Sequence, residues 1–172
     1  YLCNLPEPLQ HAKLTWLTDR IEVRFGRRPT SFRAGRYGLD IVGATVLSDL
    51  GYMVDSSVIP FTDYSSDGGA NFEDAPHTPH YFGDKSFCTR NGFGKLLEVP
   101  VSVGFNWINF TRARAVQRAA SRTWLRHFRV AGILDRLGII RRIKFGPEQA
   151  DLRRQIRLVD VYLAQGTPAM VM

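Results

Sequence analysis

Two charged side chains of opposite sign follow strand-like segments and could form a pair, in which the arginine holds an anion or orients a carboxyl group. Arg33 follows the apolar start of SFRAGRYG, and Asp55 ends GYMVD. The planar guanidinium of an arginine matches a carboxylate, so Arg33 could orient a catalytic acid or hold an anionic ligand. A structural salt bridge at Arg33 and a simple turn at Asp55 explain the same residues, and both alternatives stay open.

Alternating helices and strands position these two side chains. Periodicity and Gly or Pro boundaries predict a helix, a strand, a second helix and a second strand, over residues 6–25, 31–34, 39–50 and 52–59. This alternation favours parallel strands joined by helical crossovers. Because the carboxyl ends of parallel strands meet at the ligand-binding edge of α/β sheets and barrels, we expect Arg33 and Asp55 to share that edge.

A long segment over residues 59–94 interrupts the alternation. It is rich in Gly, Pro, Asp, Ser and aromatic residues, and a connection of this length indicates a functional loop. It contains His77 and His80 as HTPH, and two histidines near acids can bind zinc. Their spacing across a proline does not place both rings on one helix face, so we predict no metal ligand there.

The second half of the chain is basic. The formal net charge is +7, and no acidic residue lies between Glu98 and Asp135. We predict a strand, one or two basic helices, a further helix and a final strand, over residues 95–105, 111–138, 147–164 and 166–172. Arginines recur at every fourth position and form a stripe, which comprises Arg114, Arg118, Arg122 and Arg126. The stripe could bind an anionic polymer or a membrane surface, and a solvated helix face is the alternative.

Composition limits the class of protein. Hydrophobic residues make up 44% and charged residues 23% of the chain, as in a globular domain. No apolar run approaches the roughly 18 residues of a spanning helix, so we expect no transmembrane segment. No nucleic-acid-binding motif accompanies the basic stripe, so we expect no specific nucleic-acid partner.

Three segments carry a family resemblance. FRAGRYG, LGYMVDSSVIPFTDY and KLLEVPVSVGF, in this order and at this spacing, resemble the NodB-homology polysaccharide deacetylases, and more narrowly their divergent WalW-type branch. The resemblance covers most of residues 5–105 and resumes at the final helix and strand. It implies an α/β fold that is part of a distorted (β/α) TIM-like barrel, with residues 1–172 as a single domain that is incomplete at both ends.

The resemblance also implies an activity and a site. The family removes acetyl groups from N-acetylated sugars with a divalent metal, for which zinc is expected here, and O-acetylated sugars are a further possible substrate of this chain. Arg33 matches the arginine that supports the catalytic carboxylate, and Asp55 matches the acid that holds this arginine, so the two are expected to form a buried supporting pair. Five aromatic residues are candidates to line a polysaccharide-binding cleft, with core packing as the alternative for each: Tyr37, Phe61, Tyr64, Phe72 and Tyr81.

The chain also departs from the family pattern. The metal-binding Asp and His motifs should precede residue 30, and residues 1–29 contain neither. We therefore expect the metal ligands to lie outside this chain and the isolated polypeptide to have no deacetylase activity. The alternative function is a non-catalytic, degenerate deacetylase fold that binds an anionic glycan through the arginine stripe. Charge-driven binding of nucleic acid or membrane ranks below both.

The core of such a barrel is expected to gather the apolar residues of the predicted helices and strands. These are Leu39, Ile41, Val42, Val46, Leu47, Leu50, Met53, Val54, Leu97, Val99 and Val101.

Overall fold

The computed structural model describes residues 1–83, 95–120, 130–148 and 150–172. The chain divides into two compact units. The first unit comprises residues 1–101 with Val171, and the second comprises residues 102–170 with Met172. The prediction that residues 1–172 form a single domain stays a prediction.

The first unit contains two helices and a four-stranded sheet. Helix α1 spans Glu7–Phe25 and α2 spans Ile41–Asp49, and the strands are β1 Ser31–Phe32, β2 Val54–Asp55, β3 His80–Tyr81 and β4 Leu97–Glu98. The strand order is β1-β2-β4-β3. Strands β1, β2 and β4 are parallel, and β3 is antiparallel to β4. The predicted helix–strand alternation and the parallel pairing are confirmed.

Local sequence signals set the limits of both helices. Helix α1 begins after Pro6 and ends at Gly26, whose φ of 71° is a left-handed conformation that glycine adopts without steric cost. Helix α2 is capped by Asp40, whose side chain accepts a hydrogen bond of 2.8 Å from the Gly43 amide. These caps satisfy backbone groups that the helices cannot satisfy internally.

Two polar side chains on the buried face of α1 have partners. Gln10 donates to the Leu5 carbonyl and to Asp40 Oδ2 at 3.0 and 3.1 Å. Thr18 Oγ1 lies 3.0 Å from the Tyr52 hydroxyl. Both residues are almost fully buried, so these bonds offset the cost of removing their polar groups from water.

The core of the first unit agrees with the predicted apolar set in part. Leu39, Val46, Leu47 and Val101 are buried. Met53 is 58% exposed, so its prediction as a core residue is wrong. The alternation of side chains explains the difference, because the neighbouring Tyr52 is 3% exposed and Met53 therefore points to the opposite side. The remaining predicted core residues are half-buried.

The second unit contains three helices and a two-stranded antiparallel sheet. Helix α3 spans Phe110–Ala120, α4 spans Val130–Arg136 and α5 spans Leu152–Ala164, and the strands are β5 Val103–Phe105 and β6 Arg142–Lys144. Aromatic residues fill its core, since Phe105, Phe110 and Tyr162 are buried and in ring contact. The Tyr162 hydroxyl donates to the Val103 carbonyl at 3.0 Å, which satisfies its polar end.

Several predicted elements of the second half differ from the structure. The single strand predicted over residues 95–105 is two short strands in different sheets, with Pro100 between them, and a proline cannot donate to a strand ladder. The last helix begins at Leu152 rather than at residue 147, because Asp151 caps it and accepts from the Arg154 amide at 2.9 Å. In the described part of the chain, residues 166–172 form no strand, and β6 was not predicted.

The mixed α/β class is confirmed. Over the described ranges the strands form two open sheets, neither of which closes into a barrel, so the TIM-like barrel stays a prediction. No helix in the described part of the chain combines the length and apolar character needed to cross a bilayer.

Candidate functional site

A row of polar residues crosses the sheet of the first unit at the carboxyl ends of its parallel strands. Asp55 ends β2 and pairs in register with Glu98, which ends β4. Glu98 in turn pairs with His80 of β3. Directly opposite residues on neighbouring strands point to the same face, so these three side chains share one face of the sheet. Asp55 and Glu98 are fully buried, and His80 is 6% exposed.

Asp55 fixes the loops that follow β1 and β2. Its carboxyl oxygens accept from the Ser57 amide at 2.8 Å and from the Ser57 hydroxyl at 2.7 Å. The same hydroxyl accepts from the Ala34 amide at 2.8 Å. One buried carboxyl group therefore sets the positions of residues in both loops, and each bond satisfies a group that cannot reach water.

Glu98 provides the next link in this network. Its Oε1 accepts from the Val58 amide at 3.0 Å, while the buried Oε2 meets no hydrogen-bond donor among the described residues. The Glu98 and Asp55 carboxyl groups lie close enough for one to donate to the other. The absence of a donor to Oε2 is expected if Oε2 itself carries a proton and donates it to Asp55.

The two acids have different affinities for this proton. Burial raises the pKa of Glu98 well above its ordinary value, and the nearby charge of Asp55 raises it further. Burial also raises the pKa of Asp55, but hydrogen bonds from Glu98 and Ser57 oppose this increase. Because two adjacent buried carboxylates cannot both ionise at low cost, Asp55 loses its proton first and Glu98 keeps its own to higher pH.

Arg33 is anchored beside this buried pair but is itself exposed. Its Nε donates to the Ser56 carbonyl at 3.1 Å and a terminal nitrogen donates to the Ser56 hydroxyl at 3.0 Å. The prediction of a buried Arg33–Asp55 pair is therefore wrong in its burial of Arg33, because the guanidinium stays in water, where its charge is hydrated. Arg33 and Asp55 do lie at the same edge of the sheet. Ser56 connects them, because it follows Asp55 in the chain and accepts hydrogen bonds from Arg33.

The predicted aromatic residues lie in different parts of the first unit. Tyr37 and Tyr64 stack with their ring centroids 6.1 Å apart and an interplanar angle of 15°. Phe61 contacts the ring of His77 at 5.8 Å. Tyr81 is exposed and follows His80 on β3, so its side chain points to the opposite face from His80. The structure thus brings Tyr37 together with Tyr64 and directs Tyr81 away from the buried row. Phe72 is fully buried, so it belongs to the core and its prediction as a cleft residue is wrong.

Backbone strain marks the same loops. In the described residues, the non-glycine residues with positive φ are Arg36, Tyr37 and Phe61, at 54°, 57° and 60°. The first two follow β1 and the third follows β2. A side chain in this conformation costs about 1 kcal/mol, and such strain is concentrated at functional sites. Two of the five predicted sugar-binding residues, Tyr37 and Phe61, are therefore held in strained loops at the carboxyl edge.

Sequence reasoning missed Glu98 as a member of the site. The signal was a single acid between apolar residues in LLEVP, at the end of a strand that is parallel to the strand of Asp55. The sequence suggests no role for His80 other than metal binding with His77 in HTPH. In the structure its Nδ1 donates to the Thr78 carbonyl at 2.9 Å.

No group of three or more His, Cys, Asp or Glu side chains in the described ranges is arranged to hold a metal ion. These residues therefore do not provide the zinc site that the family resemblance implies.

Comparison with known proteins adds no relative. No protein-family model, curated protein or solved structure matches this chain. A function can therefore be inferred only from the sequence itself and from the residues of the site and their geometry.

Proposed function

We propose that this chain provides the carboxyl edge of a polysaccharide deacetylase-like hydrolase, in which its parallel strands are part of a distorted TIM-like barrel. The observation that carries the proposal is the position of Arg33 and Asp55 at one edge of the parallel strands, beside strained aromatic loops. The segments that resemble the family, FRAGRYG and GYMVDSS, supply this edge. The substrate would be an N-acetylated or O-acetylated polysaccharide.

Each part of the edge has a role in this proposal. Ser56 holds the Arg33 guanidinium through two hydrogen bonds, so that its exposed side can orient a carboxylate that acts as the base. The stacked Tyr37 and Tyr64 rings present aromatic surface to a sugar ring. The buried Asp55–Glu98 pair keeps both loops in place. Zinc would activate water in the complete hydrolase, but no step assigned to these residues depends on it.

Binding of an N-acetylated chitooligosaccharide to the chain tests this assignment. We expect chitotetraose to bind with a dissociation constant in the millimolar range and to perturb the NMR signals of residues 33–38 and 61–64. Tyr64→Ala should weaken binding at least fivefold by removing one ring of the stack. Tyr81→Ala is the matched control, because Tyr81 lies on the opposite face of β3 from the buried row, and it should change the affinity less than twofold.

Two outcomes would contradict the proposal or part of it. If neither N-acetylated nor O-acetylated oligosaccharides perturb residues 33–38 or 61–64, the proposed site is wrong. Robust zinc-dependent acetate release by the isolated chain would instead contradict the expectation that the metal ligands lie outside it.

The second candidate function is glycan binding without catalysis, and the distribution of charge favours it. Residues 102–170 contain thirteen Lys and Arg residues and four acidic residues. On α3, Arg112 and Arg118 are exposed and Arg114 is half-buried. Arg122 and Arg126 of the predicted stripe lie outside the described residues. This hypothesis predicts that heparin binds with a steep salt dependence and that Arg118→Glu weakens it several-fold while leaving chitotetraose binding unchanged.

A further inference from the structure

Helix α5 carries a row of apolar side chains on the face opposite to its buried side. Its buried residues pack into the core of the second unit, and these are Leu158, Val161 and Tyr162. On the opposite face Leu152, Ile156 and Leu163 are 71%, 52% and 69% exposed, and Val159 between them is half-buried. The row runs the full length of the helix, so packing within the unit does not account for it.

The spacing of this row is that of a seam between two paired helices. Leu152, Ile156, Val159 and Leu163 are four, three and four positions apart, which is the alternation of the two apolar positions of a coiled-coil heptad. Side chains at this spacing insert between those of a second helix that carries the same pattern. The row therefore matches another helix of its own kind.

Two opposite charges lie on the same flank of the row. With 3.6 residues per turn, Arg153 and Asp160 are displaced by about 90° and about 70° to the same side of the centre of the row, and both are exposed. Arg157 lies farther round on this flank, at about 130°, and points away from the row. On the other flank the position next to the row is held by Gln155.

We propose that this row binds a second copy of the chain as an antiparallel pair of α5 helices, with a two-fold axis between Ile156 and Val159. In that arrangement Leu152 meets Leu163 of the second copy and Ile156 meets Val159. Each contact occurs twice, as a two-fold interface requires, and all four apolar residues are covered. The proposal concerns the second unit and does not depend on the glycan site of the first.

The same two-fold axis brings opposite charges together. It places the corresponding flanks of the two helices side by side, so Arg153 faces Asp160 of the second copy. At 1.5 Å per residue these two positions differ by about 3 Å along the helix axis, as do Asp160 and Arg157 of the second copy, so each acid lies near cations only. A parallel pair would place opposite flanks together, and Arg153 would then face Gln155 without forming an ion pair.

One helix from each copy makes a small interface. Such an interface lies at the lower end of the range for specific complexes, so we expect a dissociation constant on the order of 10–100 μM. Analytical ultracentrifugation of the chain between 5 and 300 μM should show a reversible monomer–dimer equilibrium.

Substitutions in the row test where the interface lies. Ile156→Glu should be monomeric over this range while keeping the circular dichroism spectrum of the parent chain, because the replaced side chain is half exposed. Leu152→Glu, at a position that is 71% exposed, gives a second test in the first turn of the helix and should dimerise at least fivefold more weakly. Val23→Glu, which makes a similar change at an 80% exposed position of α1, is the matched control and should dimerise like the parent.

Charge substitutions test the antiparallel arrangement itself. Arg153→Glu places acids against Asp160 of the second copy, and Asp160→Arg places bases against Arg153, so each variant alone should dimerise at least threefold more weakly. An equimolar mixture of the two should form a heterodimer about as stable as the parent dimer, because both opposite-charge pairs return. Arg27→Glu, at an exposed position outside α5, is the control and should dimerise like the parent.

Three results would overturn the proposal. The first is a chain that is monomeric at 300 μM, which would mean that no second copy covers this row. The second is a dimer that neither Ile156→Glu nor Leu152→Glu weakens, which would place the interface elsewhere. The third is a mixture of the two charge variants that associates no better than either variant alone, which would exclude the antiparallel pairing.

Discussion

Asp55 and Glu98 occupy opposite register positions on two neighbouring parallel strands, and neither side chain is accessible to water. Burial and the neighbouring Asp55 raise the pKa of Glu98, and the other three carboxyl oxygen atoms of the pair accept hydrogen bonds from Ser57 and Val58. A buried pair of this kind contributes little net stability relative to apolar residues, but breaking it leaves a buried charge or polar group without a partner. Replacing one partner of the pair should therefore lower the free energy of unfolding.

We expect the two acids to respond differently to replacement by their amides. Glu98→Gln should lower the free energy of unfolding by about 1 kcal/mol or less, because glutamine still accepts from Val58 and donates to Asp55, as a protonated Glu98 does. Asp55→Asn should lower it by about 2–3 kcal/mol, because an amide nitrogen cannot accept from the Ser57 donors. Urea unfolding at pH 7 measures both. A larger loss for Glu98→Gln than for Asp55→Asn would mean that the proton resides on Asp55.

Stability should fall as the pH rises above about 4.5, the ordinary pKa of a glutamate. The folded state raises the pKa of Glu98, so between the unfolded and folded pKa values it binds more protons than the unfolded state. The contribution of Glu98 is therefore fully present below pH 4.5 and is lost as the pH rises through the folded pKa. The slope should approach about 1.4 kcal/mol per pH unit.

The matched variant for this pH dependence is Glu98→Gln, whose side chain does not titrate. Urea unfolding at intervals from pH 4 to pH 9 should give a shallower fall in stability for this variant than for the parent chain. Two parallel curves would show that Glu98 does not carry a raised pKa in the folded protein.

Ser57 should matter more to stability than its neighbour Ser56. Ser57→Ala removes the acceptor of the buried Ala34 amide and one donor to Asp55, and should lower the free energy of unfolding by about 2 kcal/mol. Ser56→Ala removes only an acceptor of the exposed Arg33 and should cost about 0.5 kcal/mol or less. Thermal unfolding of the two variants side by side distinguishes them, and equal losses would count against the hydrogen-bonded link between the two loops.

Arg36 and Gly26 share a left-handed backbone conformation. Introducing a glycine at position 36 and removing the glycine at position 26 should therefore have different effects on the free energy of unfolding. Arg36 has a φ of 54°, so Arg36→Gly should leave stability unchanged or raise it by up to about 1 kcal/mol by removing strain. At Gly26, φ is 71° and a β-carbon would meet no atom within 4 Å, so Gly26→Ala should cost about 1 kcal/mol through the backbone alone. Chemical denaturation measures both. A marked loss in Arg36→Gly would show that the Arg36 side chain makes a stabilising contact.

The sequence was informative where a local signal defined an element. Helix α1 lies between Pro6 and Gly26, and α2 follows the Asp40 cap, so periodicity and end signals located both helices. Strand β6 has a single buried side chain, Ile143, between two charged residues, and this alternation is too short to distinguish from a loop. The apolar run at residues 166–172 has strand-like composition, but composition does not supply a neighbouring strand to pair with.

The candidate site could be predicted only in part for a similar reason. Arg33 and Asp55 each follow a strand that local composition reveals, and parallel pairing then places them at one edge. Glu98 lies far along the chain, and only the strand order β1-β2-β4 makes it the neighbour of Asp55. That order depends on packing between distant segments, which no local pattern encodes. The exposure of Arg33 likewise depends on its hydrogen bonds to Ser56.

The shared hydroxyl of Ser57 has a consequence for how this protein can change during evolution. Ser57 serves the Ala34 amide on one side and Asp55 on the other, and Asp55 in turn faces Glu98. A single apolar replacement at position 55, 57 or 98 leaves a buried polar group without its partner, and a joint apolar replacement still leaves the backbone amides of Ala34, Ser57 and Val58 without acceptors. We therefore expect descendants of this gene to keep a side chain that accepts hydrogen bonds at each of the three positions.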